Sequence, residues 1–217
     1  VRPRLVLVTD PSFGDDAIVR CTEAVAAALP PGTFCVQLRD KRRPVASLRL
    51  MACRLRIVTE RAGALLVING HARLARDVGA DGVHLGGGAG TVNEARTAFG
   101  RPTWISIAAH SDDDIHRGLA EGADAALVSP VFATSSPPSP GRAAAEKLPR
   151  GLAAIRAARA IAGSRLALFA LGGVTLARVR SCADAGADGV AVLRALLQSD
   201  QPGDLAEAIH DVLAPRW

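Results

Sequence analysis

Apolar residues in this chain fall into two alternating kinds of stretch: short continuous runs, and longer segments in which they return every third or fourth position. A continuous run marks a strand buried on both faces, and the wider spacing marks an amphipathic helix. Arg4-Leu-Val-Leu-Val-Thr-Asp10 is the first run, ended by Asp10-Pro11. From about Asp15 to Leu29, the residues Ile18, Cys21, Val25 and Leu29 keep helical spacing, and Pro30-Pro31-Gly32 stops the helix. Thr33 to Arg39 predicts a second strand, about Pro44 to Arg61 a long helix, Ala64 to Asn69 a third strand and Ala72 to Val78 a short helix. Further on, Thr103 to Ile107 reads as a strand. The stretch from Leu166 runs apolar into Gly172-Gly173, turns helical, and gives a second short run ending in Leu193-Arg194. A last amphipathic helix covers about Asp204 to Leu213.

One phrase repeats. Gly-Ala-Asp occurs at Gly79, Gly122 and Gly186, followed by the apolar runs Gly82-Val-His-Leu85, Ala125-Ala-Leu-Val128 and Gly189-Val-Ala-Val192. Glycine accepts the left-handed backbone that ends a helix, and the apolar residues behind it open a strand, so each phrase is an α-to-β joint. The joints are spaced at multiples of about 21 residues, and the Thr103 strand falls between the first two, which implies about eight β/α units. The fold expected is α/β, a (β/α)8 TIM barrel, as one domain over residues 1–217. A doubly wound open sheet is the alternative, and it needs fewer units.

In such a barrel the chemistry sits at the C-terminal ends of the strands. Gln37, Arg39 and Lys41 alternate there and share a face if the strand continues. Asn69 ends the neighbouring strand, and His84, His110, Thr134, Ser135, Ser136 and Arg194 complete a polar, cationic rim without a carboxylate pair. Arg39 and Lys41 beside Asn69 suit a phosphate or diphosphate through charge-assisted hydrogen bonds. Gly172-Gly173 just before a helix offers backbone N–H groups to an anion. With Leu193-Arg194 it forms the loops after the seventh and eighth strands, where β/α barrels grip phosphate; a plain tight turn is the alternative. His84 and His110 read equally well as packed core residues. Phe132 to Arg142 is rich in Pro, Ser and Gly and predicts a mobile lid or an irregular loop, and Gly86-Gly87-Gly88 a second flexible segment.

Composition narrows the partners. The 217 residues are 49% hydrophobic, enough for one large core. The net charge of +5 is dispersed apart from Arg39 to Arg43, and aromatic residues are only 3%, so nucleic acid is not the expected partner and small anions are. The longest apolar runs fall short of a membrane span and no basic-then-apolar leader opens the chain, so no membrane partner and a cytoplasmic location are expected. Cys21, Cys35, Cys53 and Cys182 lack zinc or disulfide spacing and are expected reduced and buried. There is no His-x-x-x-His pair, no Gly-x-Ser-x-Gly elbow and no P-loop, so metalloprotease, hydrolase and nucleotidase chemistry lack support and no metal ligands stand out.

Seven motifs in order, Gln37-Leu-Arg-Asp-Lys41, Val67-Ile-Asn69, Gly79 through Gly86, Ala109-His110, Ser129-Pro-Val-Phe-Ala-Thr134, Leu171-Gly-Gly-Val-Thr175 and Gly186 through Val190, resemble the thiamine phosphate synthase and thiazole tautomerase superfamily over nearly the whole chain. The resemblance implies a synthase that joins hydroxymethylpyrimidine diphosphate to thiazole phosphate and releases diphosphate. It places Gln37, Arg39, Lys41 and Asn69 at the pyrimidine diphosphate and Thr134, Ser136, Gly172 and Gly173 at the thiazole phosphate. Arg39, Lys41 and His110 are the catalytic candidates, and His84, Ser135, Leu193 and Arg194 join the substrate-binding set.

Magnesium is implied too, but the family's two metal aspartates fall on Gly70 and Ala89. Other family positions hold Ala108 for a serine, Pro137 for a lysine and Arg194 for a serine. Three readings remain open: a synthase, weakened by the lost carboxylates; a tautomerase-like enzyme using His84 or His110; and a non-catalytic binder of thiazole or thiamine phosphate. The partner in each is a small phosphorylated heterocycle, with self-association left open.

Overall fold

The computed structural model describes residues 3–100, 102–134 and 148–214. Strands β1 (Leu5–Val8), β2 (Phe34–Leu38), β3 (Leu65–Asn69), β4 (Gly82–Leu85), β5 (Trp104–Ala109), β6 (Ala125–Val128), β7 (Ala167–Leu171) and β8 (Gly189–Val192) are parallel and close in sequence order into a barrel. An open sheet has two edges; here Leu5 pairs with Phe34 on one side and Val190 on the other, which excludes the doubly wound alternative. Around the strands stand α1 (Asp15–Ala28), α2 (Val45–Ala62), α3 (Ala72–Asp77), α4 (Val92–Phe99), α5 (Asp112–Glu121), α6 (Gly151–Ala162), α7 (Leu176–Asp184), α8 (Arg194–Leu197) and α9 (Pro202–Leu213).

Double-sided burial explains the continuous apolar runs. Leu5, Leu7, Phe34, Val36 and Leu38 pack outward under the helices, while Val6, Val8, Cys35, Val67, Leu127, Phe169 and Ala191 fill the lumen. Low in the lumen, Trp104 and Phe169 meet edge to face at 6.3 Å. Glycines make the room: a Cβ on Gly82 would lie 2.2 Å from the Trp104 carbonyl oxygen, and one on Gly189 2.7 Å from the Phe169 ring.

The repeated phrase is a structural staple. Gly79, Gly122 and Gly186 adopt positive φ and end the preceding helical turns. The aspartates behind them, Asp81, Asp124 and Asp188, accept from the backbone N–H groups of Leu66, Ile105 and Leu168 at 2.8, 2.7 and 2.8 Å. Each aspartate also pairs with an arginine from an earlier helix, Arg56, Arg96 or Arg159. The same arginines donate to the carbonyls of Gly79, Gly122 and Gly186. Helix, joint and neighbouring strand are thereby tied on the N-terminal side of the barrel, away from the strand ends that carry chemistry.

One expectation needs correction, and two short elements were not foreseen. Cys21, Cys35 and Cys182 are buried but Cys53 is exposed, because α2 turns Leu48, Met51, Ala52, Leu55 and Thr59 inward and leaves Cys53 off that face. The 3-10 turn Pro11–Phe13 and the short α8 have no counterpart in the hydrophobic pattern. Among the described residues no helix is long and apolar enough to cross a membrane.

Candidate active site at the barrel mouth

Polar side chains occupy the upper lumen on four adjacent strands. Gln37, buried at the end of β2, donates from Nε2 to Asn69 Oδ1 at the end of β3, 3.4 Å away. Asn69 stands opposite His84 on β4, and His84 opposite Ser106 on β5. His84 Nδ1 and Ser106 Oγ are 2.9 Å apart, both buried. Burial, and then the positive charges of Arg39, His110 and Lys41, lower the His84 pKa to about 3, so the ring is neutral at pH 7. It is a hydrogen-bonding wall of the mouth and not one of its cations.

The cations sit just beyond the strand ends. β2 stops at Leu38 because the Arg39 N–H donates to Thr9 Oγ1 at 2.8 Å, while that hydroxyl donates back to the Arg39 carbonyl at 3.2 Å. Arg39 is therefore half-buried at the rim, and Lys41 lies outside the strand and is exposed. The alternation argument for a shared strand face thus fails for Arg39 and Lys41, which both lie beyond the end of β2, although both charges act on His84. Asp40 shapes this turn, accepting from the Arg42 and Arg43 N–H groups and from Arg43 Nε. Arg43 also forks onto Asp15 at 2.7 and 2.6 Å, which braces the loop against α1 and takes this arginine out of the basic cluster.

The rim continues through β5 to β8. His110, exposed, lies with Nδ1 2.9 Å from the Ser129 carbonyl, so that nitrogen carries the proton and Nε2 is left toward solvent. After β6, the Val131 and Phe132 N–H groups donate to the Leu171 and Gly172 carbonyls at 2.9 Å. The glycine pair is required by this close approach: a Cβ on Gly172 would lie 2.9 Å from Pro130 Cα, and one on Gly173 2.3 Å from the Ala133 carbonyl oxygen. Arg178 locks the crossing, donating to the Gly173 carbonyl at 2.6 Å and stacking 4.6 Å over the Phe132 ring. No backbone carbonyl among the described residues accepts from the Gly173 or Val174 N–H. Thr134, half-buried, ends the described part of this loop, and the rest of the expected lid, 135–142 with Ser135 and Ser136, lies outside the described residues.

Leu193 caps α8 and packs onto the lumen cluster, with half-buried Arg194 behind it. The segment after β4 closes as a turn, the Ala89 N–H donating to the Gly86 carbonyl at 3.1 Å. The predicted positions among the described residues thus follow one another around the C-terminal ends of the strands, with Gln37 bonded to Asn69, His84 to Ser106 and His110 to Ser129. Thr9, Ser106, Ser129 and Asp40 were not visible in the sequence as site components, because a lone serine, threonine or aspartate at a strand end carries no pattern of its own.

A family model described as thiamine monophosphate synthase matches residues 5–196. The chain belongs to this family. A thiamine-phosphate synthase of Methanoculleus marisnigri is 38% identical over 210 residues, covering 97% of this chain and 95% of that protein. One from a Synechococcus strain is 35% identical over 97% of this chain, which spans only 57% of that longer relative. Among solved structures, the thiamine phosphate pyrophosphorylase of Pyrococcus furiosus superposes with a TM-score of 0.79 at 23% identity, covering 97% and 95% of the two chains, and carries the same fold.

Within the thiamine monophosphate synthase family, magnesium is the implied cofactor, and the donor set can be tested against it. The two places where the resemblance puts metal aspartates do adjoin here: a Cβ on Gly70 would lie 4.0 Å from the Ala89 methyl. What meets at that point is a hydrogen and a methyl. The carboxylates whose charges act on Arg39 are Asp10 and Asp40; Asp10 caps the Ser12 N–H and Asp40 is tied to Arg43. Among the described residues no group of three His, Cys, Asp or Glu side chains is placed to hold a metal. A hard ion that takes its protein anchorage from carboxylates does not fit this site.

Proposed function

We propose that the protein is a thiamine-phosphate synthase that joins hydroxymethylpyrimidine diphosphate to thiazole phosphate at the barrel mouth. The carrying observation is the contiguous β2–β3 end, where Gln37 Nε2 donates to Asn69 Oδ1 and Arg39 and Lys41 follow just beyond the end of β2. This group suits a diphosphate: guanidinium and ammonium stabilise the charge that builds as the C–O bond to the pyrimidine methylene breaks. Diphosphate leaves with the bonding electron pair, and the thiazole nitrogen supplies the pair for the new C–N bond. His110, held through Nδ1, donates a hydrogen bond from Nε2 to the departing diphosphate when that nitrogen is protonated as well. The Gly173 and Val174 N–H groups, with the α8 end at Leu193 and Arg194, are the seat for the thiazole phosphate.

The test is direct turnover of the two substrates, with thiamine phosphate measured by chromatography. Product is expected, and Arg39→Ala should lower kcat/KM by roughly 100-fold. Absence of product at enzyme concentrations equal to substrate would reject the synthase. The bare Gly70/Ala89 position favours the binder as second reading. In that case thiazole phosphate binds in calorimetry while no coupling occurs.

A further inference from the structure

We propose that this mouth neutralises diphosphate with fixed protein cations, Arg39 and Lys41 with His110 beside them, and holds no divalent ion of its own. The inference rests on the diphosphate reading above and deepens it. Its first support is steric and chemical. Gly70 and Ala89 come together after two strand ends, and neither side chain brings an oxygen to the place where they meet. Magnesium bound at phosphate sites is held by one or two carboxylates together with the substrate's own oxygens. With the protein share gone, any ion must arrive on the substrate.

The second support is the sign of the field. Two carboxylates at Gly70 and Ala89 would repel a metal-free diphosphate and make an ion obligatory. Without them the permanently charged groups acting on His84 are the cations Arg39 and Lys41. The mouth is thus cationic before any ion enters.

The third support is bracing. The Arg39 backbone is clamped on both sides by Thr9 Oγ1, and the loop bearing Lys41 is anchored through Asp40, Arg43 and Asp15. A preorganised cation keeps its position when charge develops, which is the service a bound ion gives elsewhere.

The experiment uses inorganic pyrophosphate and Mn2+ as separate probes on the whole protein. Calorimetry in EDTA should show pyrophosphate binding, weakened about tenfold or more by Lys41→Ala or Arg39→Ala. Mn2+ alone, followed by electron paramagnetic resonance, should not bind. Gly70→Asp/Ala89→Asp should reverse both results, gaining Mn2+ and losing about tenfold or more in pyrophosphate affinity in EDTA. Because Gly70 sits at φ +76, Ala89→Asp alone serves as the second variant should the double one fold poorly. Wild-type binding of Mn2+ alone, or pyrophosphate binding that needs Mg2+ and vanishes in EDTA, overturns the inference and leaves the synthase reading standing. No pyrophosphate binding in either condition rejects the diphosphate site itself.

Discussion

Burial and three positive neighbours act on His84 in the same direction, and the outcome is a histidine that stays neutral through the physiological range. Its folded pKa near 3 lies below the value of about 6.5 in an unfolded chain, so the unfolded state takes up the proton first. The contribution to stability is whole above about pH 6.5 and drains as pH falls toward 3. In proton NMR the His84 ring signal should therefore stay flat from about pH 8 to 4.5, while urea unfolding shows stability declining below about pH 6.5. A ring that titrates near its free value would mean the site is wetter and less positive than this geometry requires. Sequence alone left His84 and His110 equivalent, both at strand ends with core and catalytic readings open. Environment separates them: one is buried against Ser106, the other exposed with Nε2 outward.

At the scale of elements, spacing and the repeated phrase located the strands and the helices α1, α2, α3, α7 and α9, because hydrophobic period is a local property, while α4, α5, α6 and α8 were not given bounds. Spacing could not say where β2 stops, since that depends on Thr9, just past the end of the neighbouring β1, capturing the Arg39 N–H. The staples behave similarly: the Gly-Ala-Asp phrase was legible as a joint, but the partner of its aspartate lies on another helix. Asp124→Ala strands the Ile105 N–H, whose residue is fully buried, and should cost about 1–3 kcal/mol in urea unfolding. Asp124→Asn keeps an acceptor and loses only the pair with Arg96, in which both side chains are 39% exposed; the expected cost is below about 1 kcal/mol. Equal losses in the two variants would shift the credit from the backbone bond to the ion pair.

For the whole molecule, the mouth has two halves with separate supports. The β2–β3 half depends on clamped cations, and the β6–β8 half on two loops that touch because Gly172 and Gly173 have no side chain. Gly173→Ala, at φ +61 and with its new methyl 2.3 Å from the Ala133 carbonyl, must push that loop away. Thiazole phosphate affinity is expected to fall about tenfold or more, with pyrophosphate affinity unchanged, as read by calorimetry of each ligand. Parallel loss of both ligands would show instead that the halves are one cooperative unit.

The amino-acid sequence by itself determined the alternation of elements, the count that closes a barrel, and which side chains stand at strand ends. Each follows from periodicity or from a short phrase read within a few residues. Tertiary structure alone decided that Gly70 faces Ala89, that His84 is neutral, and that Thr9 and Asp40 seat the cations. Those outcomes depend on burial and on contacts between segments that meet only when the ring of strands is closed, and no local pattern encodes that distance.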